Sequence, residues 1–165
     1  MHEIKKKTNV STIYKVMGFG NIFMSDDGIG IRVIEELNKM NFSDDHKNVV
    51  LIDGGTSGID LILTLKESDK VIIIDAVDVG QDIGEVVKFK AKKIEKFDEK
   101  RLKSCSLHDL NLTQVFDLMN SLDVNFDITV IGIKPKVIGY GEKISPEIEC
   151  KIPEIISNVI QEIGY

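Results

Sequence analysis

Two cysteines, three prolines and no tryptophan in 165 residues set several limits at once. Cys105 and Cys150 lie far apart and form no CxxC pair. That excludes a disulfide framework and a thiolate zinc site, and it fits a reducing cytoplasm. No Pro/Ser-rich stretch, repeat or low-complexity block divides the chain. Residues 1–165 therefore read as a single domain, with 1–11 as an amino-terminal tail and 12–165 as the folded part. Long apolar runs are also missing, since none approaches the roughly 18 residues that cross a bilayer. The opening MHEIKKKTNVS has charges without the apolar segment of a signal peptide, so neither secretion nor a membrane span is expected. Positive charge is in deficit: 21 lysines and arginines face 27 acids, for a net charge of -6. Apart from Lys5-Lys6-Lys7 the basic residues are scattered, which leaves no nucleic-acid footprint. Scarce Gln and absent Trp beside abundant Ile and Lys match the bias of AT-rich genomes and carry no functional weight.

What the sequence does hold is regular order. Its 42% hydrophobic share is enough for a sizeable core. Runs of β-branched residues alternate with helical patterns, the rhythm of βαβ units. Ile13 to Gly18 predicts a first strand, and Asp27 to Met40 a helix with Ile29, Val33, Ile34 and Leu37 on one face. Val49 to Ile52 predicts a short second strand, followed by the turn DGGTSG and a helix carrying Ile59, Leu61, Ile62 and Leu65. Lys70 to Ile74, KVIII, is apolar enough for a central parallel strand buried on both faces. Gly84 to Phe89 alternates as an antiparallel or edge strand does, and KAKKIEKFDEKRLK reads as a solvated connector with some helix. Ser106 to Asp109, SLHD, has the form of a capping box before a helix with Leu112, Val115, Phe116 and Met119 inward. Ile128 to Ile133 is the next strand, and KPKVIGYGEKI a long loop. SPEIE opens a last helix capped by Ser145, with Pro146 at its first position and a kink or restart at Pro153. The fold class expected is α/β: three layers, α/β/α, around a mostly parallel twisted sheet.

In such sheets functional groups gather beyond the carboxyl ends of the strands. Asp27, Asp53, Asp75 and His108 all fall there. The GFGN turn invites a dinucleotide reading, but the third glycine of that fingerprint is replaced by Phe23, and no Walker lysine follows. For Asp26 and Asp27 the plain reading is a helix cap and a partner for the positive helix end, worth about 0.5 to 2 kcal/mol for a cap. Asp75 resists so plain an account, because it closes an apolar run where an unpartnered carboxylate is costly to bury. It needs a partner, a metal or a raised pKa. Asp53 ends the second strand, where its side chain suits bonding to local amides of the turn. Of three histidines, His2 and His46 sit in polar surroundings. His108 lies in the first turn of its expected helix, where the neutral, metal-binding imidazole is favoured. Two carboxylates and one imidazole would suit a borderline divalent transition metal with positions left open.

VMGFGNIFMSDDGIG, IDGGTSGIDL, VIIIDAV followed by GE, SLHDL, and IGIKP with GYG and ISPEI resemble, in this order, the hydrogenase maturation proteases. The resemblance runs from about Ile13 to the last helix. It implies an endopeptidase that trims the carboxy-terminal extension of the large-subunit precursor of a nickel-iron hydrogenase. It implies further that Asp27, Asp75 and His108 recognise a metal. Some family members carry glutamate at the first of these positions, and aspartate is the shorter acid. Nickel is then expected to arrive bound to the precursor, with no tightly held metal in the protease itself. The missing HExxH agrees with that, and Cys105, three residues from His108 across a helix start, makes a poor nucleophile dyad. Asp53, Gly54, Gly55 and Thr56 are the expected substrate-binding turn, and Asp26 a cap or supporting partner whose loss is mild. Asp27 and Asp75 are the expected catalytic carboxylates. They would act either as an aspartic-type pair, the route favoured, or as a base beside nickel-activated water. Two readings of other classes stand beside this one: a nucleotide-binding regulatory module, indifferent to Asp75 and His108, and a metal-binding maturation chaperone that does not cut.

Overall fold

A computed structural model describes residues 12–56, 65, 69–91, 103–104, 121 and 126–165. The apolar run that follows Ile13 forms strand β1 (Tyr14–Phe19), flanked by β2 (Val49–Gly55) on one side and β3 (Lys70–Asp78) on the other, both parallel to it. Beyond β3 lies β6 (Asp127–Ile133), again parallel, and the edge is β4 (Val86–Ala91), antiparallel to β6. The order is thus β2-β1-β3-β6-β4, with the two-residue β5 (Lys103–Ser104) pairing antiparallel to β3 off this path. This is an α/β fold on a mostly parallel sheet. The alternating stretch expected as an antiparallel or edge strand is both.

Period-two alternation divides the core. Val16, Ile72, Ile74, Ile131 and Ile133 pack on one face of the sheet with Ile29, Val33 and Leu37 of helix α1 (Ile29–Lys39) and Ile155 and Val159 of the last helix. Met17, Phe19, Ile73, Val77, Ile128 and Val130 form a second buried cluster. Burial of alternate residues in both clusters is why KVIII and ITVIGI carry no polar stripe. The helix expected over 59–65 and the one after Ser106 lie outside the described residues, apart from Leu65, as does most of the KAKKIEKFDEKRLK connector.

The remaining boundaries shift for identifiable reasons. Helix α1 starts at Ile29, two residues later than the sequence pattern suggests, because Ser25–Gly28 winds into a 3-10 turn first. A one-turn helix α2 (Phe42–Asp45) follows it. The last helical region is broken as its prolines require: α3 (Pro146–Glu149) stops, and α4 (Ile152–Ile163) restarts with a proline in its first turn, where the missing amide costs nothing. β3 does not end at Asp75 but continues to Asp78.

Candidate active site

From β1 the chain passes to β2 on one side and then crosses to β3 on the other, so its direction reverses between the carboxyl ends of β1 and β3. Crevices at such reversals are where open α/β sheets bind ligands. The last paired residues of β1 and β3 are Gly18 and Ile74. Asp75 is the next residue, at the point where the two strands part. Facing it, the turn after β1 brings in Asp27. Two of the three residues expected to recognise a metal therefore lie close enough for the charge of Asp27 to act on Asp75, although all of β2 lies between them in sequence.

Both carboxylates are buried, Asp27 at 1% and Asp75 at 3% exposure. Asp27 Oδ2 accepts the Asn21 amide at 2.8 Å, and Asp75 Oδ1 accepts the Ala76 amide at 2.8 Å. Burial, and next the charge of Asp27, push the Asp75 pKa up to about 8, with the Ala76 bond acting weakly in the opposite direction. Alternation along β3 places Asp75 in step with Ile73 and Val77, a position that otherwise takes an apolar side chain. Gly20 of GFGN and Gly30 of DDGIG serve this packing. Gly20 holds φ +130, and a Cβ there would collide with the Asp27 carbonyl oxygen; one on Gly30 would collide with carbonyls of Phe19 and Ile74. These glycines bring the turn and α1 against the strands, so no phosphate is needed to explain them.

Asp26 does not cap α1. It is fully buried and reaches across to the loop after β6. Its Oδ2 accepts from the Lys136 amide at 2.9 Å, the Val137 amide at 2.8 Å and the Ser145 hydroxyl at 2.9 Å; its Oδ1 accepts from the Ser145 amide at 2.6 Å. Ser145 occupies the cap position of α3 but makes no side-chain cap bond, because its hydroxyl is committed to Asp26. This corrects the expectation of a serine cap. Sequence reading missed the contact, and its one visible trace is a pair of adjacent aspartates where a single cap would suffice.

The DGGT turn lies beside the same turn of β1. Gly20 donates its amide to the Gly55 carbonyl at 3.0 Å. Asp53 is exposed, and its Oδ1 accepts the Gly55 amide at 2.9 Å, the local bond that its sequence position suggests. Gly54 is buried against the Phe19 ring, which a side chain there would strike, whereas a Cβ on Gly55, at φ +50, would meet only Asp53 Oδ1, at 3.9 Å. Thr56 follows, half-buried. His108 and Cys105 lie outside the described residues. Among those described, no group of three or more His, Cys, Asp or Glu side chains is placed to hold a metal ion. A groove of about 710 Å³ runs between α1 and the loop after β6, lined by Arg32, Glu36, Glu142, Ser145 and Glu149 among others; neither Asp27 nor Asp75 lines it.

Comparison with known proteins identifies the family. The model of the HycI family, hydrogenase maturation protease, matches residues 31–162, a span that includes Asp53, Asp75 and His108. Coenzyme F420 hydrogenase subunit delta of Methanothermobacter thermautotrophicus is 32% identical over 156 residues, covering 90% of this chain and 93% of that protein. The hydrogenase expression/formation protein HupD of Bradyrhizobium diazoefficiens is 30% identical over 153 residues, covering 90% of this chain and 77% of its own. In fold the chain is similar to the hydrogenase maturating endopeptidase HybD from E. coli, with a TM-score of 0.71 at 23% identity over 93% of this chain and 94% of that one. With a family match over most of its length, and a buried pair of carboxylates at the crevice of the sheet, this chain belongs to the hydrogenase maturation protease family.

Proposed function

We propose that this protein removes the carboxy-terminal extension from the nickel-loaded large-subunit precursor of a nickel-iron hydrogenase. The observation that carries the chemistry is the buried pair Asp27 and Asp75, with Asp75 raised to about 8 by burial and by its neighbour's charge. Like charges held close do not both ionise, so near neutrality the pair carries one proton. Asp27, as carboxylate, takes a proton from water as the water oxygen bonds to the scissile carbonyl carbon. Asp75, as carboxylic acid, donates to the carbonyl oxygen as charge develops there. The proton on Asp27 then passes to the leaving amide nitrogen as the carbon-nitrogen bond breaks, and Asp75 takes back a proton from one of the two hydroxyls on that carbon as its carbonyl re-forms, which leaves a new carboxyl end, a new amino end and the pair with its single proton restored. Nickel belongs to the substrate. The Asp27 carboxylate, the unprotonated oxygen of Asp75 and the His108 imidazole would suit such an ion, and their part is to hold the loaded precursor so that its scissile bond lies at the pair. We place the reaction in the cytoplasm, where free Cys150 suits a reducing medium. Among the described residues no helix is long and apolar enough to cross a membrane.

The direct test incubates the protein with nickel-loaded precursor and follows loss of the tail by mass spectrometry. Tail loss also separates a protease from a chaperone that binds the same metal. In His108→Ala the precursor should stay uncut at enzyme levels at least about 100-fold above those that suffice for wild type, while circular dichroism stays native. Wild-type processing by that folded variant would remove His108 from the site.

The DGGT turn can be tested without disturbing its backbone. Asparagine tolerates the left-handed conformation that Gly55 adopts better than most residues do, and a Cβ there would meet nothing nearer than Asp53 Oδ1 at 3.9 Å. Gly55→Asn should therefore lower the melting temperature only slightly. If the turn docks the precursor, the added side chain should raise KM about tenfold, equivalent to about 1.4 kcal/mol. Unchanged KM would leave Asp53, Gly54, Gly55 and Thr56 with a structural role only.

A further inference from the structure

We propose, on the function just given, that Asp26 is a positioning residue for the cleavage: by pinning the loop over 136–145 it fixes the turn that carries Asp27. One carboxylate joins both ends of this loop, taking the amides of Lys136 and Val137 at its start and both the amide and hydroxyl of Ser145 at its end. All four partners donate, so the site calls for an acceptor-only group. An amide in its place would set its own N–H groups against at least one of them.

The loop in turn grips the residues before Asp27. Ser25 donates its amide to the Gly141 carbonyl at 2.7 Å and its hydroxyl to the Gly139 carbonyl at 3.0 Å. The Asp26 amide donates to the Val137 carbonyl at 3.2 Å, and the Gly141 amide to the Phe23 carbonyl at 3.0 Å. Under this grip Ser25 sits at φ 53, left-handed backbone that a residue with a side chain holds only where its surroundings over-determine it. Burial of the loop's own side chains does little of that holding. Tyr140 is 97% exposed and Val137 46%, and Ile144 is the side chain the loop packs against the core. The causal order is therefore Asp26, loop, Ser25, 3-10 turn, and then the placement of the Asp27 carboxylate beside Asp75. The mild effect expected from sequence for loss of Asp26 is revised upward on these contacts.

Asp26→Asn should lower kcat about 10- to 100-fold, the scale on which a displacement near 1 Å misplaces a catalytic group. KM should move less than kcat, since Asp75 and His108 still hold the precursor and only the setting of Asp27 is disturbed. Hydrogen exchange at the amides of Asn21, Asp27 and Val137 should speed up by about tenfold or more relative to α4. Ser145→Ala, which loses one of the four contacts and keeps the backbone ones, should fall between this variant and wild type in both measurements, and it carries the test if Asp26→Asn does not fold. Wild-type kcat in a folded variant, unaltered exchange in the turn, or a kcat loss equal to the unfolded fraction would each overturn the assignment. If wild-type protein leaves the precursor uncut, the proposed function fails, and the exchange measurement still decides whether Asp26 fixes the turn.

Discussion

Replacing Asp75 by asparagine should cut processing by at least about 100-fold, the low end for loss of a general acid or base, and make the protein more stable. The second half of that expectation follows from linkage. An aspartate in the unfolded chain releases its proton near pH 3.9, whereas folded Asp75 holds its proton to about 8. Below pH 4 both states are protonated and the group has no effect on the balance. Between about 4 and 8 the folded state binds more protons than the unfolded one, so the stability of wild type declines as pH rises. Each pH unit in that window lowers stability by at most about 1.4 kcal/mol, which sums to several kcal/mol by pH 8. Above 8 both forms are ionised and the decline levels off. Asp75→Asn removes this slope. Thermal melts from pH 4 to 9 should show a falling wild-type curve from this group and a flatter one for the variant, with the gap widest at and above pH 8. Parallel curves would mean that Asp75 is not the strained group described here, whatever happens to cleavage.

The second large effect concerns nickel. Enzyme stripped with a strong chelator should cut nickel-loaded precursor at full rate and leave nickel-free precursor intact, with a difference of at least about 100-fold if the ion sets the position of the scissile bond. Adding nickel to the metal-free precursor should restore cutting, whereas adding it to the enzyme beforehand should not raise the rate on loaded precursor. Cleavage should also stop at the mature end. Efficient cutting with no nickel present would remove the metal from the recognition step and leave a plain carboxylate protease.

Much of this site could be seen in the sequence, and what could not has a physical reason. Asp75 was visible because an acid closes the apolar run KVIII, where burial is dear. That β3 runs on to Asp78 was hidden, since Ala76 and Val77 are compatible with either a strand or the loop that an acid seems to announce. Asp27 was singled out by its place after the first strand. Its encounter with Asp75 depends on strand order, which the residues alone suggest only through the βαβ rhythm. Asp26 looked like a cap because capping is a local signal, and Lys136, Val137 and Ser145 are 110, 111 and 119 residues away. The same distance misled the reading of Ser145. Sequence patterns report neighbours along the chain well, and partners across the fold only where burial leaves an anomaly.

The strand order has a consequence for how the enzyme comes into being. Asp27 hangs from β1 and Asp75 belongs to β3, yet β2 is made between them and docks on the far side of β1. A ribosome-bound chain that has formed only β1, α1 and β2 holds one carboxylate and has no pair. On the proposed mechanism, cutting power would appear only when β3 docks beside β1, a contact between distant parts of the chain whose closure carries an entropic cost. A protease built on adjacent residues of one hairpin would be armed while still half-made. With its two proposed catalytic carboxylates divided between the turn after β1 and strand β3, this one would be assembled only when the centre of its sheet is complete, and a copy ending before β3 would be inert.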